Sequence, residues 1–176
     1  MITKNFKALM ALILQSTGTT AAKGLIQAHD TSNQQWYLGT RFTYYPSSIS
    51  TGIRIGNTSV AGVWLGSGNT PPTEDDYILD NRITSGLSAG SPSMATGLDG
   101  DGNPYLSLTY LLTNGTASDI TVREVGYVQS ISCASGLGST ENADLKYLLD
   151  RTVLETPLVV PANGTAVLRY ILKTII

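Results

Sequence analysis

The chain has 176 residues, a formal net charge of −2 and an isoelectric point near 5.2, with 14% charged and 41% hydrophobic residues. That length can bury a real core in one domain, while the charge balance offers no basic footprint for a phosphate backbone and argues against nucleic acid as a partner. A single cysteine, Cys133, excludes an intrachain disulfide, and in "QSISCASG", with no His or second Cys nearby, it reads as a small buried apolar side chain.

The start, "MITKNFKALMALIL", places Phe6, Leu9, Met10, Ile13 and Leu14 at i, i+3, i+4, i+7 and i+8, one face of an amphipathic helix over residues 4–15. Thr3 is positioned to cap it and Gly18 to end it. Lys4 and Lys7 ahead of an apolar run also have a secretory look, but Ala8 to Leu14 is at the short end of what a signal segment needs and too short to span a bilayer, so no membrane role is expected. The apolar face must be buried against the chain's own body or another subunit. With "STGTTAAKG" as a hinge, residues 1–34 read as an arm with Phe6, Leu9, Met10, Ile13 and Leu14 as its interface.

From Gln35 the pattern becomes alternating, so residues 35–176 read as one β domain. "QWYLGTRFTYYP", "GIRIGN" and "SVAGVWLGSG" are short strands. In "NTPPTEDDYILDNRI" the prolines stop the strand, and Thr73 with Asp76 forms a capping-box pattern, which predicts a helical turn near 74–79 with Tyr77, Ile78 and Leu79 inward. "TSGLSAGSPSMATGLDGDGNP" reads as a long loop over 85–104. Strands follow at Tyr105–Leu112 and Ile120–Val128, then in "LKYLLDRTVLETP", and a last hairpin is expected in "LVVPANGTAVLRYILKTII".

Asn57–Ser59, Asn114–Thr116 and Asn163–Thr165 each spell a glycan acceptor. The two Asn-Gly-Thr copies fall between apolar runs, where Asn and Gly tolerate positive φ, and read as turns. Asn163 and Gly164 are expected at a strand reversal, with Val160 and Val167 entering one core.

Candidate chemistry is sparse. Asp99, Asp101 and Asn103 have the spacing that opens a calcium loop, but Pro104 stands where glycine would turn it and Tyr110 where a bidentate Glu would be, so a hairpin turn without a cofactor is the simpler reading, with a structural calcium ion as the alternative. If Ile120 and Val122 face the core, period two puts Glu124 on the same face, where its carboxylate needs a partner. Arg151, in the apolar "YLLDRTVL", is that partner, and the pair is expected to be buried and structural. His29 is the only histidine, and "GSGNT" lacks the lysine of a phosphate loop. Trp36, Trp64 and nine tyrosines would suit either a sugar platform or an ordinary β core.

"LTNGTASDITVREVGYV" followed by "LLDRTVLETPLVVPANGTAVLRYIL", with "WLGSGNTPPTEDDYILDNRI" upstream and the amphipathic start, resembles structural proteins of tailed bacteriophages. The resemblance touches most of residues 60–174 and, more loosely, the first 20. The second half alone would also suit bacterial immunoglobulin-like domains. It implies a mainly β chain with an antiparallel β-sandwich, immunoglobulin-like or jelly-roll-like, behind an N-terminal amphipathic helix. It also implies a non-enzymatic virion component, as capsid decoration, head fibre or collar, or tail-associated protein, with copies of itself and other virion proteins as partners. The alternative is a carbohydrate-binding or adhesive module for a host-surface glycan, which would use exposed aromatics and the Asp99–Asn103 loop.

Overall fold

The computed structural model describes residues 1–8, 26–38, 53–55, 61–134 and 142–173. Within them the chain is mainly β. Its strands are β1 (Ile26–His29), β2 (Gln35–Leu38), β3 (Gly62–Gly66), β4 (Leu87–Ala89), β5 (Ser93–Leu98), β6 (Pro104–Asn114), β7 (Ile120–Ala134), β8 (Asn142–Val160) and β9 (Thr165–Lys173). All strand-to-strand ladders are antiparallel.

Two sheets carry the core. Sheet I has the order β3-β7-β8. In sheet II, β6 is central: β9 runs along one side, and β4 and β5 pair in succession along the other. From Ala89 to Ser93 the chain takes four steps against three on β6, Leu112 to Thr109, so β4 and β5 form one strand interrupted by a bulge at Gly90-Ser91-Pro92. One apolar cluster joins the sheets: Val63 and Leu65 from β3, Val122 and Val125 from β7, Leu108, Tyr110 and Leu112 from β6, Leu168 and Tyr170 from β9.

The two sheets treat their outer faces differently. β3, "GVWLG", is buried at every position, as a run without polar alternation requires. Its second face carries a smaller cluster of Trp64, Leu79, Val128 and Leu148, closed over by residues 67–82. In β9 burial alternates: Leu168 and Tyr170 are inside, Val167, Arg169 and Ile171 outside. Val167 is 60% exposed, so only Val160 of the expected pair enters the core. Period two admits one set, and the larger Leu168 and Tyr170 take the inner face.

Several expectations are revised. The stretch 85–104 is not a long loop. It supplies β4, β5 and a tight turn, because Ser, Thr, Ala and Gly pair through the backbone as well as any residue when one side faces solvent. At 74–79 there is a turn at residues 74–75 and no helix: Asp76 accepts from the Thr73 amide (2.9 Å) and hydroxyl (2.8 Å), but Asp80 and Asn81 send their amides to Glu124 rather than back along the chain. Leu79 is buried and Ile78 exposed.

At the N-terminus residues 4–8 are helical, and Leu9, Met10, Ile13 and Leu14 lie outside the described residues. Phe6 packs against the main core of its own chain. Thr3 donates its hydroxyl to the carbonyls of Leu148 (2.6 Å) and Leu149 (3.2 Å), and Ile2 bridges Asp150, so the first residues lie along the edge of β8. Hairpin β1–β2 straddles the boundary expected at residue 34, and its turn is tied to β8 through Thr31 and Lys146.

The Asn-Gly-Thr stretches are turns, but neither closes a hairpin within one sheet. The first carries the chain from β6 in sheet II to β7 in sheet I, and the second from β8 in sheet I to β9 in sheet II. Asn163 has φ of 52°, the left-handed conformation that Asn accepts more readily than most residues. The turns bond to each other: the Asn163 amide to the Thr116 carbonyl (3.0 Å) and the Asn114 amide to the Gly164 carbonyl (2.9 Å).

Candidate functional site

The densest polar cluster lies on the outer face of sheet I, under residues 67–82. It begins with a break in strand alternation. Val122, Val125 and Tyr127 all belong to the core between the sheets, so β7 slips one position after Val122. The pairing with β8 slips at the same place: Val122 faces Leu158 while Glu124 faces Val153, leaving Leu154 to Pro157 as extra chain on β8. Pro157, which has no N–H for a ladder, sits in this irregular stretch. Glu124 therefore does not share the face of Ile120 and Val122, as simple alternation implied. It points to the opposite face, and its side chain is fully buried there.

Burying a carboxylate is tolerable only if its oxygens are occupied. Glu124 Oε1 accepts from the amides of Gly68 (3.2 Å) and Asn81 (2.7 Å), and Oε2 from the Asp80 amide (3.1 Å) and Arg151 Nε (2.8 Å). The structure thus brings Glu124 and Arg151 together. The guanidinium goes further: one terminal nitrogen donates to Asp76 Oδ2 (2.7 Å) and the other to the Thr70 carbonyl (3.1 Å). Burial pushes the Asp76 carboxyl up, but bonds from Arg151 and Thr73 outweigh it and hold the group below its ordinary value. Burial lowers Arg151, and Asp76 and Glu124 more than restore it, so it is a fixed cation.

Glycines make this approach possible. A Cβ on Gly68 would stand 2.7 Å from Glu124 Oε1, and one on Gly126 would stand 2.7 Å from Leu79 and 2.8 Å from Leu148. Beside the cluster is an open cleft of about 360 Å³ bordered by Thr70, Asp76, Tyr77, Ile78, Asp80 and Arg151. Its charged groups are already engaged, Asp76 with Arg151 and Asp80 with the Thr70 hydroxyl (2.8 Å). At the end of the covering segment, Arg82 lies 3.8 Å over the buried Trp64 ring and donates to the Arg54 carbonyl (2.9 Å). The arrangement holds an irregular segment against a sheet, and its carboxylates present no free pair aimed at a common point.

The other expected residues lie elsewhere. Asp99 Oδ1 accepts from the amides of Asp101 (3.0 Å) and Asn103 (2.9 Å), and Oδ2 from Lys173 (3.2 Å). Gly102, at φ of 83°, completes a type I turn with a glycine bulge. Hydrogen bonds from these backbone amides and from Lys173 hold the Asp99 carboxyl low. Asp101 is exposed, and among the described residues no group of three or more His, Cys, Asp or Glu is arranged to hold a metal ion. His29 is exposed, with its ring 6.4 Å from Tyr77. The side chains of Trp36 and Cys133 lie outside the described ones. Tyr110, Tyr127, Tyr147 and Tyr170 are buried rather than displayed, and Tyr170 donates to Asp150 (2.6 Å).

No protein-family model, curated protein or solved structure matches the chain.

Two residues have roles beyond those their sequence patterns indicate. Asp76 is the second acid on Arg151; the capping-box pattern marked it, but for a local role. Asn114 is buried, and its amide donates to the carbonyls of Ser118 (2.8 Å) and Val160 (3.0 Å), so this Asn-Gly-Thr offers no free amide to modify. Its only sequence signal was identity with the copy at residue 163.

Proposed function

We propose that this chain is a non-enzymatic structural component of a tailed-phage virion: a β-sandwich, immunoglobulin-like or jelly-roll-like, that assembles through symmetric contacts with its own copies and with other virion proteins. The virion assignment rests on the sequence resemblance. The assembly half rests on one observation, the outer face of sheet II. There Leu111 and Val167 are directly paired across β6 and β9 and remain 57% and 60% exposed, with Ile171 farther along at 40%. Apolar cross-strand pairs left in water, on a chain with only 14% charged residues, fit a surface meant to be covered.

The test is direct. Particles from the organism that encodes the chain are banded on a density gradient and their proteins identified by peptide mass spectrometry. The chain should co-band with the particles at a fixed copy ratio. Finding it only in the soluble fraction of lysed cells would reject the reading.

A further inference from the structure

The main sheets have four edges, and three are protected. β8 is lined by the first residues through Ile2 and Asp150, and β3 by residues 53–54 and 81–83 through bridges to Val63 and Gly66. β9 carries Arg169 and Lys173, charges of the kind that discourage strand addition. The fourth edge, β5, is different. Its sequence SMATGL is uncharged, all six residues are exposed, and among the described residues it pairs only with β6. The charge-free run extends from Ile83 to Leu98.

Backbone parity shows what this edge offers. At the turn the Asp99 amide donates to the Asn103 carbonyl (2.9 Å), which makes 99 and 103 a hydrogen-bonded pair. By alternation, Ser93, Ala95 and Gly97 spend their N–H and C=O on β6, while Met94, Thr96 and Leu98 turn theirs outward. Pro104, with no N–H to give, stands opposite Leu98 at a non-hydrogen-bonded position, as this phase requires. Met94 and Leu98 are also 59% and 70% exposed.

The geometry points to β5 as a self-pairing edge, with a second copy of this chain as the occupant, antiparallel β5 to β5 across a two-fold axis perpendicular to the sheet. Such an axis keeps the inner face of both copies on one side, so each residue must meet one of its own parity. A register centred on Thr96 places Thr96 opposite Thr96 and Met94 opposite Leu98. It uses the outward groups of all three residues and pairs the two exposed apolar side chains with each other. Neutrality lets identical segments meet without like-charge repulsion. Pro92 limits further pairing in the upstream direction. The inference rests on the self-assembly half of the reading above and adds to its apolar face a second, edge contact.

Sedimentation velocity on the full chain tests it. The wild type should be a dimer at micromolar concentration. Thr96→Pro removes an outward N–H that β6 does not use, and Thr96→Lys sets two like charges at the axis. Each should weaken the dimer at least tenfold while the far-ultraviolet spectrum and melting temperature of the monomer are unchanged. If Thr96→Pro misfolds, Thr96→Lys decides, since it alters only an exposed side chain. A wild type monomeric at 100 µM, or a dimer that Thr96→Lys leaves intact, overturns the inference; the first would leave the edge to a strand from another protein. Neither result bears on whether the chain co-bands with particles, so the two readings fail separately.

Discussion

Around β3 and the middle of β7, sheet I is buried on both faces, whereas the outer face of sheet II is exposed. The cover of sheet I is irregular chain, residues 67–82, which cannot satisfy its own backbone and is held by a buried carboxylate and guanidinium. The strands of sheet II need no such device, because β6 and β9 alternate between core and solvent and β5 is exposed throughout. Irregular backbone over a sheet thus requires polar atoms inside, whereas a bare face requires only that its side chains tolerate water or find a partner. Leu111, Val167 and Ile171 tolerate it poorly, which sets this face apart from an ordinary polar exterior.

Substitutions can break this contrast, and the largest effect is expected at Arg151. Arg151→Met strands Glu124 in the interior and should cost about 3–5 kcal/mol in urea unfolding. The pair also differs from an isolated ion pair. In a Glu124→Leu/Arg151→Met double variant the amides of Gly68, Asp80 and Asn81 lose their acceptor, so a penalty above about 1 kcal/mol should remain where a simple pair would approach neutrality. Gly126→Ala drives a methyl into Leu79 and Leu148 and should cost about 1–3 kcal/mol.

The twin turns give a matched pair of unequal effect. Asn114→Ala leaves the carbonyls of Ser118 and Val160 without their donor and should cost about 1–3 kcal/mol, while Asn163→Gly, exposed and at positive φ, should change stability by only a few tenths of a kcal/mol.

Acid should act on the same region. The folded Asp76 carboxyl titrates below its ordinary value of 3.8, so its contribution is present above that pH and is lost as pH falls through the folded value. Asp76→Asn should flatten the stability profile below about pH 4, measured by urea midpoints at successive pH values. The smallest effect is expected on the bare face: Leu111→Thr with Val167→Thr should shift folding stability by no more than about 0.5 kcal/mol.

How much of this could be read from the chain varies by region. The strands from β6 to β9 were legible because their apolar residues recur with period two between Asn-Gly turns. β4 and β5 were not, since Ser, Thr, Ala and Gly carry no burial signal on an exposed edge. Glu124 and Arg151 stand out as charges in apolar strands, but simple alternation puts Glu124 on the wrong face, because a one-residue slip in β7 reverses the parity and leaves no mark in composition. Val167 reads as core because it is apolar, although Leu168 and Tyr170 fill that face. Residues 74–79 read as a helical turn because Thr73 and Asp76 mimic a cap, and a carboxylate 44 positions from Asp80 decides otherwise.

The bonded Asn-Gly-Thr turns also constrain timing. β6 and β9 pair from Tyr105 with Lys173 to Thr113 with Thr165, so β6 waits with one side open while β7 and β8 are made and joined to each other. Only when residues 163–164 reach Asn114 and Thr116 do both passages between the sheets close at the same end. The last strand is therefore a latch: a chain truncated before residue 165 keeps every strand of sheet I but leaves β6 open on the side that β9 covers.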